Sequence, residues 1–148
     1  SDYDMLNAFS FPEEIPLTIT IEDILDRTKK YHDDYYYKPG NRYYDTLNRK
    51  ISDKTGIYRI DDSGVAMQKY IMSPTLKANM GTYHDRVPVI RDDFGIRKLT
   101  PYECLALQGF PNDFVFKDIP IEAAYKQCGN TVCIPVVKRI ADNIIKVF

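Results

Sequence analysis

Apolar and polar residues alternate with two different periods along this chain, and the change of period divides it. From Gly56 to Leu99 the apolar runs are short and bounded by turn residues, the pattern of strands. Gly56–Ile60 and Val65–Met72 are predicted to be strands flanking Asp61-Asp62-Ser63-Gly64, a hairpin-type turn. Pro74–Asn79 and Val87–Ile90 are predicted as two more, joined by Met80–Asp85, and Asp92-Asp93-Phe94-Gly95 turns into a last one, Ile96–Leu99. Helical spacing governs what lies on either side. Thr20 and Asp23 form a capping pattern for a helix from Ile21 to about Lys30, with Ile21, Ile24 and Leu25 on one face. Thr100, Pro101 and Glu103 open another, Leu105, Ala106 and Leu107 give it apolar body, Gly109 suits a left-handed stop and Pro111 bars resumption. A third runs from Pro120 to about Cys128 with Gly129 as its stop. A fourth starts near Pro135 and carries Val136, Val137, Ile140, Ala141, Ile144 and Ile145. Residues 1–16 read as an extended lead-in.

Tyr31 to Tyr44 breaks both periods. Tyr31, Tyr35, Tyr36, Tyr37, Tyr43 and Tyr44 surround a Lys38-Pro39-Gly40-Asn41 turn. Tyrosines so placed either stack on bases and bond phosphates or pack a thin domain while keeping their hydroxyls wet. With no tryptophan in the chain, large side chains for a core must come from here, which favours packing.

Composition narrows the class. At 148 residues, 44% hydrophobic and 28% charged, the chain suits one soluble globular domain, or a small lobe with an appendage. No apolar run is long enough to span a bilayer. Three cysteines without framework spacing suit a reducing cytoplasm. His32 and His84 have no nearby cysteine partner, so no metal site is expected. A net charge of −1 argues against indiscriminate coating of nucleic acid. Acids gather early, however, and Arg42, Arg49, Arg59, Lys77, Arg86, Arg91, Arg97 and Lys98 recur through the middle. A basic face and a mixed solvated surface both remain open. The absence of an initiator methionine before Ser1 suggests an excised or processed piece.

Three stretches resemble one family. Arg97-Lys98-Leu99-Thr100-Pro101, continuing through Glu103-Cys104 to Gln108-Gly109-Phe110-Pro111, resembles the ninth conserved motif of the DNA cytosine-5 methyltransferases. Ala124-Tyr125-Lys126-Gln127-Cys128-Gly129-Asn130-Thr131-Val132 is similar to the tenth, and Ser73-Pro74-Thr75-Leu76-Lys77-Ala78-Asn79-Met80-Gly81 to the end of the target-recognition region. The family's nucleophile is a cysteine following a proline. Here Cys104, Cys128 and Cys133 follow Glu103, Gln127 and Val132. The Glu-Asn-Val motif and a Gly-x-Gly cofactor loop are absent as well. No catalytic residue is therefore assigned.

The resemblance implies an α+β fold: a small, mainly β target-recognition lobe (residues 1–94), then a helical segment (95–148) that completes a Rossmann-like catalytic lobe. It implies duplex DNA as partner, an amino-terminal lobe carried elsewhere, base flipping, and S-adenosylmethionine as the complete enzyme's cofactor. Thr75 matches a threonine beside the DNA backbone, with a satisfied strand threonine as the lesser alternative, and Leu76 is core. Asn79, Gly81, Thr82, Tyr83 and Arg86 are further DNA-binding candidates, with the loop Met80–Asp85 as the candidate for base readout and Asp61–Gly64 as a second loop for the groove. Arg97, Thr100, Glu103, Gln108 and Gly109 organise the recognition lobe, and Cys104 is a small buried hydrophobe. Asn130, Thr131 and Val132 match the cofactor-lining segment, against the simpler view that Gly129-Asn130 ends a helix. The alternatives to an inactive carboxy-terminal part are the small subunit of a split methyltransferase and a non-catalytic DNA-binding module. The last helix is apolar enough to require cover, which points to self-association of the isolated chain.

Overall fold

The computed structural model describes residues 8–61, 64–68 and 72–147. Its centre is an antiparallel sheet of β1 (Ile57–Asp61), β2 (Gly64–Gln68), β3 (Val89–Arg91) and β4 (Ile96–Lys98), in the order β2-β1-β3-β4. Asp61 pairs with Gly64, so the hairpin turns through two residues, and Gly64 takes φ +115°. That backbone favours glycine. Asp62 and Ser63, part of the expected turn, lie outside the described residues, as do 69–71 of the expected second strand.

Period-two alternation gives the sheet two buried faces. Tyr58, Ile60, Val65, Val89 and Ile96 point to one side and pack with Tyr37, Leu47 and Ile51. Ile57 and Ile90 point to the other, where Ile21, Leu25, Leu76, Met80, Leu99, Leu105 and Tyr125 complete a larger core. Leu47 belongs to α2 (Tyr44–Lys50), a helix the apolar pattern did not predict. Arg91 fastens its end, donating to the Ile51 carbonyl at 2.8 Å and to Asn48 Oδ1 at 2.9 Å. The tyrosines act mainly as packing: Tyr37 is buried, and Tyr35, Tyr43 and Tyr44 border the two cores.

Both outer strands are contacted on the side away from the sheet. Tyr36 bridges Arg97 on β4, and the Tyr37 amide donates to the Ile96 carbonyl at 2.9 Å. On β2, the Lys50 ammonium donates to the Val65 carbonyl at 3.0 Å.

The helices correct several expectations. The first, α1, spans Ile21–Ile24 only and does not reach Lys30. Asp26 Oδ1 accepts from the Thr28 amide and hydroxyl, which turns the chain locally. Arg27 is held by Glu22 (2.6 Å) and by the Arg91 carbonyl (2.9 Å). Pro74–Lys77 has no strand partner among the described residues, and Ala78 and Asn79, expected in the strand, instead open a 3₁₀ turn, Ala78–Gly81, that runs into the expected loop. The capped helix stands as expected: α3 covers Pro101–Leu107, Thr100 Oγ1 accepts from the Glu103 amide, and Gly109 has φ +79°. Next come α4 (Ile121–Asn130) and α5 (Ile134–Ile145). Gly129 does not stop α4 but lies within it, without a positive φ.

Candidate nucleic-acid interface

Arg97 is the hub of the molecule. It points off β4 toward α3 with no exposed surface. Its Nε donates to Asp92 Oδ2 at 2.7 Å, and its two terminal nitrogens fork onto the Glu103 carboxylate at 2.8 Å each. The Tyr31 ring lies 4.1 Å from the guanidinium carbon. Two carboxylates face one cation, and the surplus negative charge is spread over donors. Asp92 accepts from the Phe94 and Gly95 amides and the Tyr36 hydroxyl, and Glu103 from the Thr100 amide at the positive end of α3. Burial works against the Arg97 charge, but the hydrogen bonds and charges of Glu103 and Asp92 outweigh it and hold the guanidinium above its ordinary value. Arg97, Thr100 and Glu103 thus lock the tyrosine-rich segment, the Asp92–Gly95 turn and α3 together. Asp92, Tyr31 and Tyr36 are the partners sequence reasoning missed. Nothing local in the sequence marks them as partners of Arg97.

A second seam joins the candidate DNA-facing segment to α4. A Cβ on Gly129 would lie 2.1 Å from the Lys77 carbonyl carbon and 2.3 Å from the Ala78 nitrogen. At the other end, a Cβ on Gly81 would lie 2.5 Å from the Glu122 carbonyl oxygen. Two glycines therefore let the backbone of 77–81 rest directly on α4. This gives Gly81 a packing role against α4. Along the same segment Pro74 and Leu76 are buried while Thr75 is exposed. Thr75 borders a groove of about 600 Å³ with Ile19, Met72, Leu107 and Gln108. Asn79 and Thr82 are exposed, and Tyr83 is 61% exposed. Asn79 shapes the turn through its carbonyl, which accepts from the Thr82 and Tyr83 amides. Arg86 is half-buried.

Beyond α4, the Thr131 hydroxyl donates to the Cys128 carbonyl at 2.8 Å, a bond at the helix end. Asn130 and Val132 are exposed. Gln108 accepts the Ile134 amide at 2.9 Å, and a Cβ on Gly109 would meet the Pro135 ring at 2.5 Å, so the ninth-motif turn seats the start of α5.

The geometry gives Cys104 and Cys128 no nucleophilic setting. Cys104 is fully buried; burial first, then the neighbouring Cys128 and Glu103, push its thiol well above the ordinary value. Burial raises Cys128 to about 11. A thiol held protonated attacks poorly. Among the described residues no group of His, Cys, Asp and Glu is arranged to hold a metal, and no helix is long and apolar enough to cross a membrane.

The profile of the C-5 cytosine-specific DNA methylases matches residues 2–146. The chain belongs to that family. It is similar to the Type II methyltransferase M.Bsp6I of Bacillus sp. (strain RFL6), 41% identical over 93% of this chain and 44% of the relative. Similarity to M.HpaII of Haemophilus parainfluenzae is 33% over 95% of this chain and 42% of the relative. M.SsoII of Shigella sonnei is 53% identical over 51 residues, 33% of this chain. The chain thus spans less than half the length of the first two relatives. As a C-5 cytosine methylase chain it has a mixed architecture, helices on a small antiparallel sheet, which agrees with the α+β class expected from sequence.

Proposed function

We propose that this chain is the carboxy-terminal, DNA-recognising part of a DNA (cytosine-5) methyltransferase whose complete form methylates C5 of a flipped cytosine in duplex DNA. The observation that carries this reading is the glycine seam. It packs the recognition segment directly against the helix that resembles the tenth motif, so a lobe that reads DNA rests on a helix at the cofactor's edge. S-adenosylmethionine, when bound, supplies the methyl group. On this chain the exposed Asn130 amide and Val132 side chain would border it, while Thr131 shapes the helix end. Thr75 donates to a DNA phosphate, and Asn79, Thr82, Tyr83 and Arg86 form the surface that meets base edges. The 95–148 segment completes a Rossmann-like lobe whose remainder, with the proline-linked nucleophile and glycine-rich loop, belongs to an amino-terminal partner on the same chain or a separate subunit.

Alone, the chain transfers no methyl group. Its α5 leaves Val136 at 54% and Ile145 at 72% exposure. In the complete enzyme the other lobe covers this side; in the isolated chain self-association does. Light scattering over a dilution series should show mass rising with concentration, and a strict monomer throughout would rule out pairing. The functional reading is tested by mixing the chain with the amino-terminal lobe, tritiated S-adenosylmethionine and duplex DNA. Label should enter DNA only in the mixture. Label from this chain alone, or none from a folded mixture, would overturn the reading, the latter in favour of a non-catalytic DNA-binding module.

A further inference from the structure

A pocket of about 340 Å³ opens at the end of β3 that leads into the Asp92–Gly95 turn. The Thr82–Arg86 segment precedes the other end of the same strand, so the pocket lies apart from the loop assigned to base edges. Tyr36, Tyr44 and Phe94 bring aromatic rings to its lining, and Phe94 is 51% exposed in the turn. Gly95 adds no side chain: it takes φ +149°, and a Cβ there would already touch Tyr36 Cδ1 at 3.5 Å. Lys30, Lys38 and Arg91 line the same space against the single carboxylate of Asp33. Asp33 is shared by the lysines, at 2.9 Å from Lys38 and 3.9 Å from Lys30. Arg91 is held differently. Its Nε donates to the Ile51 carbonyl and a terminal nitrogen to Asn48 Oδ1. Both acceptors are neutral, and Arg91 forms no ion pair among the described residues. A guanidinium has donors to spare after two bonds, and these two fix its plane.

We propose that this pocket binds a small aromatic carboxylate, its acid group on Arg91 and its ring among Tyr36, Tyr44 and Phe94. The inference stands independently of the DNA-reading role. Charge selects an anion, because the cations of the lining outnumber its one acid. A carboxylate is planar and meets the fork of an arginine with both oxygens. The aromatic lining selects the rest of the molecule: a ring gains offset or edge-on contact there that a bare anion cannot use. The volume lies at the small end of ligand pockets, which suits one ring with one acid group. Occupancy has a local consequence. The Phe94 and Gly95 amides donate to Asp92 Oδ1, and Asp92 in turn holds Arg97. A ligand resting on Arg91 and Phe94 braces the turn that anchors the hub, and binding to the folded chain alone raises its unfolding temperature.

Benzoate is the probe, titrated into the isotopically labelled 148-residue chain while the Phe94, Gly95 and Ile96 amide resonances are followed by NMR. At matched ionic strength, acetate supplies the charge without the ring, and benzyl alcohol the ring without the charge. Benzoate should give a saturable shift with a low-millimolar Kd, as its size allows, and should raise Tm. Acetate and benzyl alcohol should each bind about tenfold more weakly or worse. Asn48→Asp, at an exposed position of α2, sets a carboxylate against Arg91 and keeps the bond between them, so it should weaken benzoate about tenfold. Phe94→Ala removes an exposed ring and should weaken it several-fold. Acetate or inorganic phosphate binding as tightly as benzoate would reduce the site to a surface anion patch and overturn the proposal. Benzoate binding unmoved by both variants would overturn it too. So would a duplex that displaces benzoate, which would give the pocket to the DNA-binding surface. If benzoate binds as expected while no duplex binds at any salt, the DNA-reading role fails and the pocket stands.

Discussion

Gly129→Ala should destabilise the chain, and the sign of the effect is the informative part. Inside a helix with ordinary backbone angles, alanine is favoured over glycine by about 1 kcal/mol. The added methyl would lie 2.1 Å from the Lys77 carbonyl carbon and 2.3 Å from both the Lys77 oxygen and the Ala78 nitrogen. Ordinary contact begins at 3.4 Å, so the two backbones must part by about 1.3 Å. No side-chain rotation relieves this, because every clashing atom is main chain. Overpacking costs typically 1–3 kcal/mol, and an obstacle that cannot rotate places this site at about 3. Subtracting the propensity gain leaves a net loss of about 2 kcal/mol, equivalent to a fall in Tm of roughly 4–8 °C for a chain of this size. Thermal and urea unfolding followed by circular dichroism measure it. A variant as stable as the parent, or more stable, would show that α4 does not rest on the Lys77–Ala78 backbone and that the seam is an error.

The other predictions concern the hub, the tyrosines and the DNA-facing segment. Arg97→Met should cost about 3–5 kcal/mol, because two buried carboxylates lose their cation. Glu103→Gln should cost less, since Asp92 still balances Arg97; denaturant midpoints in the reverse order would refute the charge accounting. Burial, followed by the Glu103 charge, pushes Tyr31 up to about 12, and burial likewise raises Tyr35, Tyr36 and Tyr58. A raised folded-state pKa contributes stability that is complete below the unfolded value near 10 and is lost as pH climbs through the folded one. Unfolding free energy should therefore fall from about pH 10 to 12, in step with phenolate absorbance, and a flat profile would count against buried phenols. In the reassembled enzyme, Thr75→Ala should weaken binding to all duplexes alike, whereas changes at Thr82 or Tyr83 should alter which sequence is modified. The opposite pattern in binding and methylation-site mapping would exchange their roles.

What the sequence disclosed depended on range. The α3 cap was legible because Thr100, Pro101 and Glu103 interact within one turn, and Gly109 because a left-handed residue follows directly. The hairpin was legible for the same reason. Gly129 was misread because its constraint comes from Lys77, far away in the chain, and local pattern cannot separate a glycine that ends a helix from one that admits a neighbour. Helix α1 was read too long because Arg27 is engaged by Glu22 and the β3 backbone, and a tertiary pull outweighs weak helical preference. The α2 helix escaped notice because Leu47 and Ile51, both fully buried, are a single pair four residues apart among polar neighbours. Among candidate site residues, Arg97 and Glu103 were found from the motif, and Asp92 was not, since nothing local marks an aspartate in a turn as an arginine's partner.

The contacted sheet edges bear on how this chain behaves in company. An open strand is a template for another strand, with aggregation, domain swapping and amyloid among the outcomes. Here the Tyr36–Tyr37 backbone occupies the outer side of β4, and the Lys50 ammonium occupies a carbonyl on the outer side of β2. Main-chain pairing along β4 must first displace the Tyr36–Tyr37 segment, whereas on β2 the guard is a single flexible lysine at Val65.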